Sequence, residues 1–572
     1  MSGPLQGLVS PDHLVVAPIL LPMLAAAAML LMRADRFRLQ AVVAVFSTGL
    51  GLLLSVLLLL QVNAGGPDGT PAVYLAGNWK APFGISLVAD RLSAFMLVLA
   101  HGVALGALVF STARWQRVGV HFHPLFQLQV MGLAGAFLTG DLFNLFVFFE
   151  ILLAASYGLL LHGSGGARVQ AGMHYIALNL AASSLFLIGS ALVYGSTGTL
   201  NMADLAQRIP NLLPGDAALA RTGAALLAVT FLTKAAAWPL NFWLVRTYSA
   251  ATPPSAALFA VMTKVGLYTL LRLGTLCFPG ADGNLALVAM GLATIAFGVI
   301  GLLASQRLAY LAGYALMVSS GTVLSAIGLE KPGLTGAALY YLASSTLGAS
   351  AFLMLTDIVE RWRNGGAVTA GFQQSREAPF LGRDLKPLQD LGLDEEQEQP
   401  TGKTVPTATA LVGLAFAMCA LVLAGLPPLS GFTAKVALLT SLLNPQGMGG
   451  GVTDVSINAG VLAHPNTPGV TGWIFAVLLV GTGFACLLGF SRAGIRNFWA
   501  AQGRGVPRLR VVECLPIGVL LAGCLALTVW GGPVLAYFED TARALQKPRV
   551  YIQAVMQTRA VPSAAGAPGG AP

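Results

Sequence analysis

The chain has 572 residues, 56% of them apolar and only 10% charged, with a mean hydropathy of +0.75. Soluble domains carry about 25% charged residues, so the composition excludes an ordinary water-soluble globule and requires apolar surface that faces lipid or other helices. The excess of 32 Lys and Arg over 23 Asp and Glu is not a nucleic-acid footprint, because the basic residues collect in alternate loops.

In chain order, fourteen apolar segments are long enough to cross a hydrocarbon core, which takes about 20 residues. They lie near 14–32, 39–61, 88–110, 121–139, 141–161, 169–195, 220–245, 254–277, 284–304, 308–328, 333–356, 406–443, 472–490 and 511–531. Such runs are too long for strands, and barrel strands alternate in polarity. The expected fold is an all-α polytopic membrane protein, and the 67 glycines suit close helix packing in lipid. Met1–His13 lacks the basic region of a cleavable signal.

Arg33, Arg36, Arg38, Arg114, Arg117, Arg168, Arg246, Arg307, Arg492, Arg496, Arg504, Arg508 and Arg510 fall in odd-numbered loops, as does the polar segment 362–405. Even-numbered loops hold little beyond Lys80, Arg208 and Lys331. The positive-inside rule then places the odd loops in the cytoplasm and both termini outside. The insertion 362–405, with its acidic cluster Asp394–Glu398, reads as a solvated cytoplasmic linker. Residues 444–469 read as an external loop, and the Ala/Gly/Pro-rich end after Pro562 as a disordered tail. The five cysteines show no CxxC spacing and read as small hydrophobes, with no metal site and no redox cofactor implied.

Four charges interrupt the spans, each at a cost of roughly 2.5–3.5 kcal/mol on insertion scales. Glu150 in GDLFNLFVFFEILLAASYGLLL lies nine residues after Asp141, about 13 Å into its helix. Lys234 precedes Pro239, whose ring clashes with the carbonyl of Ala235 and breaks the helix just after the lysine. Lys264 sits mid-span behind the helix start Pro253–Pro254. Lys435 follows a break at Gly425, Pro427, Pro428 and Gly431. Glu150 and Lys234 could simply neutralise each other as a packing pair. Lys264 and Lys435 have no evident acidic partner, and an unpaired buried lysine is suited to proton exchange.

Spans 4–8 and 9–13 divide into two five-helix units, 121–277 and 284–490. They follow three N-terminal helices in 1–120 and precede helix 14 at 511–531 and a tail at 532–572. The Pro-broken lysine helix is the fourth member of each unit, giving discontinuous helices 7 and 12. An odd span count inverts the second unit, and paired discontinuous helices in inverted repeats point to an ion path near the midplane.

The strings TGDLFNLFVFFEILLAASYGLLLHG, SALVYGSTGTLNMADLA, SAALFAVMTKVGLYTLLR and LAGLPPLSGFTAKVALL resemble the D subunits of the Mrp-type cation/proton antiporters, within the antiporter-like membrane subunits shared with respiratory complex I and membrane-bound hydrogenases. The resemblance spans roughly residues 85–540. It implies fourteen helices, a Glu150/Lys234 pair on spans 5 and 7, a relay lysine at Lys264 and a terminal ionisable residue at Lys435. It further implies a proton-translocating subunit of a multisubunit Na+ or K+/proton antiporter in a bacterial inner membrane, with other Mrp subunits as partners and no enzymatic site. A proton-pumping subunit of an NADH:quinone oxidoreductase or hydrogenase is the alternative. Two departures stand out. His174 occupies the position where the family usually has a lysine on span 6. Ser319, Ser320, Ser344 and Ser345 stand where many relatives carry histidines on spans 10 and 11, so any central relay here would run through hydroxyls.

Overall fold

The computed structural model describes residues 13–33, 35–66, 69–279, 284–363, 406–443, 469–499 and 507–558. The expected linker, external loop and terminal tail fall largely or wholly outside these residues. Helices α1 (His13–Leu31), α2 (Phe37–Asn63), α3 (Arg91–Thr112), α4 (Phe122–Leu138), α5 (Leu142–Leu161) and α6 (Gly166–Thr197) are the first six spans. A short α7 (Met202–Arg208) precedes the broken seventh span, made of α8 (Pro214–Lys234) and α9 (Leu244–Ala250). Then come α10 (Pro253–Leu276), α11 (Asn284–Ala304), α12 (Leu308–Gly328) and α13 (Pro332–Arg363). The twelfth span is again broken, into α14 (Thr407–Ala424) and α15 (Ser430–Leu443), before α16 (Val470–Gly494) and α17 (Val511–Val529). Thirteen of these helices are long and apolar enough to cross a membrane; α4 is shorter, and α15 is the second half of the broken twelfth span.

Burial orders the bundle. Almost every residue of α10 and α12 is buried, whereas α1, α2, α6 and α16 keep large apolar side chains such as Leu31, Phe46, Met173 and Phe484 on the outside. That is the pattern of lipid-facing helices around an inner set. Lys264 is therefore carried by one of the most enclosed helices.

Two local features were not expected. Strand β2 (Ser86–Ala89) takes in residues 88–89, read as the start of the third span, and runs antiparallel to β1 (Ala72–Leu75), with Val73 opposite Val88. The strand ends because Asp90 caps α3 in a reciprocal box with Ser93, which starts a helix by satisfying its first free N–H groups. In addition, part of the stretch expected to be a tail folds as α18 (Gly531–Leu545) and α19 (Pro548–Gln557). Tyr537 of α18 donates its hydroxyl to the Arg91 carbonyl at 2.7 Å, and Arg272 lies 5.2 Å from the Tyr551 ring of α19.

Charges gather at the two ends of the inner helices. At one end Arg272 grips Asp90 through two hydrogen bonds of 2.6 Å, a bidentate geometry. At the other, 22 residues along α3, Arg114 and Arg361 share Glu513 at 2.9 and 3.0 Å and Asp357 at 3.6 and 3.2 Å. This cluster ties α3, α13 and α17 together. Glu513 has no exposed side-chain surface. Removing one partner of a buried charge network strands the rest, so Glu513→Ala should destabilise the chain by about 3–5 kcal/mol. Thermal melting of the purified protein in detergent, against Leu525→Ala on the outer surface, checks this.

Candidate functional site

Backbone chemistry positions the two lysines on broken helices. Proline has no N–H, so the carbonyl four residues before it loses its donor. In span 7, α8 stops at Lys234, as Pro239 requires. Its last turn closes through Ala235 N to Phe231 O at 2.8 Å, and Ala237 N to Leu232 O at 2.9 Å. Ala236 then takes a positive φ of 55°, Trp238 N donates to Thr294 Oγ1 at 2.8 Å, and Trp243 Nε1 donates to Thr233 O at 3.1 Å. The loose backbone of the break is thus satisfied by neighbouring side chains, as lipid demands. In span 12, Pro427 and Pro428 remove the donors for the carbonyls of Leu423 and Ala424, and Gly425 leaves the helix at φ 72°.

Glu150, on α5, is half-buried, and Lys234 is buried. No ion pair joins them among the described residues. Each is instead held by α6: Ser183 donates its hydroxyl to the Glu150 carboxylate, and Lys234 Nζ donates to Asn179 Oδ1 at 3.0 Å. Asn179 and Ser183 are four residues apart and share one helix face. A small cavity beside Lys234 is lined by Phe149, Tyr175, Asn179, Trp243, Met262 and Val265. His174 stands elsewhere. Tyr175, Asn179 and Ser183 turn inward, so His174 faces outward, exposed, with its ring nitrogen Nδ1 3.0 Å from the Gln170 carbonyl. Its position in sequence resembles a relay position, but helical phase carries its side chain away from Lys234.

Lys264 is fully buried and donates to Ser319 Oγ at 2.9 Å. Ser319 is 2.7 Å from Ser345 Oγ. A second link joins Ser344 Oγ to Ser430 Oγ at 2.7 Å. Ser344 and Ser345 are neighbours on α13 and point about 100° apart, so the two links are separate. Ser320 is buried, and its hydroxyl has no hydrogen-bond partner among the described residues. Lys435 donates to Ala424 O at 2.8 Å, Thr482 Oγ1 at 2.9 Å and Leu479 O at 3.4 Å. The three lysines therefore sit on neutral oxygens, with no carboxylate within salt-bridge distance among the described residues.

Asn179, Ser183, Ser430 and Thr482 do not stand out in the sequence. Each is a small polar residue in an apolar run, a signal too common to single out without knowing which face meets a charge. The motif strings contain structural parts as well: Leu142 N bonds Leu200 O at 2.9 Å, and Met202 N bonds Gly140 O at 2.8 Å. The TGDLF and TLNMADL stretches thereby lock together beneath the start of α5.

Residues 139–376 match the family described as NADH:quinone oxidoreductase/Mrp antiporter, transmembrane. A probable K(+)/H(+) antiporter D subunit from Rhizobium meliloti (strain 1021) is 48% identical over 95% of this chain and 98% of its own. The Na(+)/H(+) antiporter D subunit of Alkalihalophilus pseudofirmus is 31% identical over 96% and 100%. Among solved structures, a chain of the Mrp complex from Dietzia sp. DQ12-45-1b superposes with a TM-score of 0.76 at 25% identity, covering 95% of this chain and 99% of that one.

The seat of Lys234 depends on Gly266 of α10. A Cβ there would lie 2.6 Å from both Ala235 N and Phe231 O, and that backbone cannot yield cheaply. Gly266→Ala should cost about 1–3 kcal/mol and lower transport. Gly274→Ala on the same helix, where a Cβ meets nothing within 4 Å, should do neither. Melting temperature and vesicle transport assays check both variants.

Proposed function

The chain belongs to the family of Mrp-type antiporter D subunits, and on that premise we propose that it is the proton-translocating membrane subunit of a multisubunit monovalent cation/proton antiporter. It is a multi-pass membrane protein of a transporter family and acts alongside other subunits. The observation that carries the reading is the set of three buried lysines, Lys234, Lys264 and Lys435, each bonded to neutral oxygens. A charge kept within a spanning bundle with no carboxylate at ion-pair distance among the described residues is costly as a packing device and useful as a proton carrier.

In this scheme Glu150 and Lys234 form a switch. While α6 holds them apart through Ser183 and Asn179, Lys234 lacks its counter-charge and gives its proton onward. When the two side chains swing together, the pair favours the protonated lysine. Separating unit charges 4 Å apart at an effective dielectric constant of 20 costs about 4 kcal/mol, enough to drive such a transfer. Lys264, with Ser319 and Ser345, receives the proton. Ser344 and Ser430 lead toward Lys435, with water or side-chain rotation closing the gap on α13. Ser320, whose hydroxyl has no partner among the described residues, is suited to bind such a water. His174 has no part in this route.

The spans flanking the breaks form two inverted five-helix units, 121–277 and 284–490, with the breaks at Pro239 and at Pro427–Pro428 as their counterparts. The basic loops support a bacterial inner-membrane location with both termini outside. Relatives named as D subunits of both K+/H+ and Na+/H+ antiporters support monovalent cation exchange over quinone-linked pumping.

The test is cation-driven proton movement in inverted vesicles containing the whole complex. Lys234→Ala and Glu150→Gln should each reduce it to the level of vesicles lacking the complex. Full exchange by Lys234→Ala in an assembled complex overturns the scheme.

A further inference from the structure

The oxygens around Lys435 have a chemical peculiarity. Ala424 O is the end of a half-helix, and its usual donors at residues 427 and 428 are prolines. It carries the partial negative charge of a helix C-terminus. The Thr482 hydroxyl donates to Leu479 O at 2.7 Å and so turns a lone pair toward Lys435. The Leu479 carbonyl supplies the third oxygen. Three acceptors converge on one positive charge, and no carboxylate pairs with it among the described residues. Glycines keep the place open. A Cβ on Gly483 would sit 3.3 Å from Ala424 O and 3.5 Å from Lys435 Nζ, and one on Gly425 would strike the lysine chain at 2.5 Å.

Carbonyl and hydroxyl oxygens that hold an ammonium group also replace the hydration shell of an alkali cation. Half-helix C-terminal ends near the midplane are suited to this. We propose that the oxygens of Ala424, Leu479 and Thr482 form a monovalent-cation site that the Lys435 ammonium occupies in the present conformation. The inference rests on the antiporter reading above and assigns its cation half to a place. When Lys435 passes its proton to the relay, the neutral side chain leaves the oxygens, and one cation enters. The charge held there stays at plus one through the exchange, so proton and cation exclude each other at a single point. Oxygens spaced for an ammonium favour potassium, rubidium and ammonium over lithium.

The experiment uses the purified complex in proteoliposomes, with potassium and rubidium as probes and internal pH as the readout. Thr482→Val removes one oxygen and should raise the cation KM by about tenfold, the loss of one hydrogen-bond-like contact to a charged group. Thr482→Ser, which keeps the hydroxyl, should restore the original KM. Gly483→Ala should raise KM by crowding the oxygens, whereas Gly481→Ala, where a Cβ meets nothing within 4 Å, should not. In the unaltered protein the cation KM should rise as pH falls. An unchanged KM in both Thr482→Val and Gly483→Ala, in complexes where Lys234→Ala still abolishes exchange, overturns the cation site and leaves the proton scheme standing. Lithium and potassium exchanging with equal KM overturns it as well.

Discussion

A backbone carbonyl in lipid must find a donor, and the design of this molecule follows from the places where it does not find one in its own helix. Pro239 and the pair Pro427–Pro428 strip donors from the middle of two spans. An ordinary transmembrane helix could not tolerate this, because no water is present to fill in. Here the helix ends that carry the breaks, Ala235–Ala237 and Leu423–Gly425, are buried, while Pro239, Pro427 and Pro428 themselves lie exposed. The groups left open are met by Thr294, by Trp243 and by Lys435 itself. The breaks thus create both the need for polar partners and the space in which charged side chains can sit.

The molecule treats its charges in two ways. Toward the ends of the inner helices they are fully paired, as in Asp90 with Arg272 and in the four-residue cluster of Arg114, Asp357, Arg361 and Glu513. Within the spans the lysines stand on amide, hydroxyl and carbonyl oxygens. Paired charges in a low-dielectric interior are costly to separate and act as fasteners. Lysines on neutral oxygens have weaker partners, which side-chain rotation or water can replace. Rigid ends around a labile middle suit a subunit whose helices keep their places while a charge moves among them.

Much of this was legible in the sequence because it rests on single-residue rules. Thirteen of the fourteen expected segments hold a helix long and apolar enough to cross, and the fourth holds the shorter α4; these follow from apolar run length, and the helix ends at Lys234 and Ala424 from the missing proline N–H. The buried lysines follow from the rarity of charge in such runs. The hairpin was not legible, because Ser86-Leu87-Val88-Ala89 continues the apolar run of the following helix, and only its pairing with residues 72–75 marks it as strand. The amphipathic helices α18 and α19 were missed because their polar faces resemble a soluble tail. Asn179, Ser183, Ser430 and Thr482 depend on which helix faces meet, and one sequence does not encode that openly. His174 shows the converse: a suggestive residue at a suggestive position, set on the outer face by a fraction of a helical turn.

The cluster at the far end of α3 also orders the making of the protein. Arg114 and Glu513 are separated by 399 positions in the chain, and Arg361 meets the same carboxylate. A ribosome delivers both arginines to the membrane long before it delivers the glutamate. Until the last span is inserted, that end of the bundle holds more positive charge than it can balance. Without the last span, Arg114 and Arg361 keep only Asp357 of the cluster's two carboxylates to balance them.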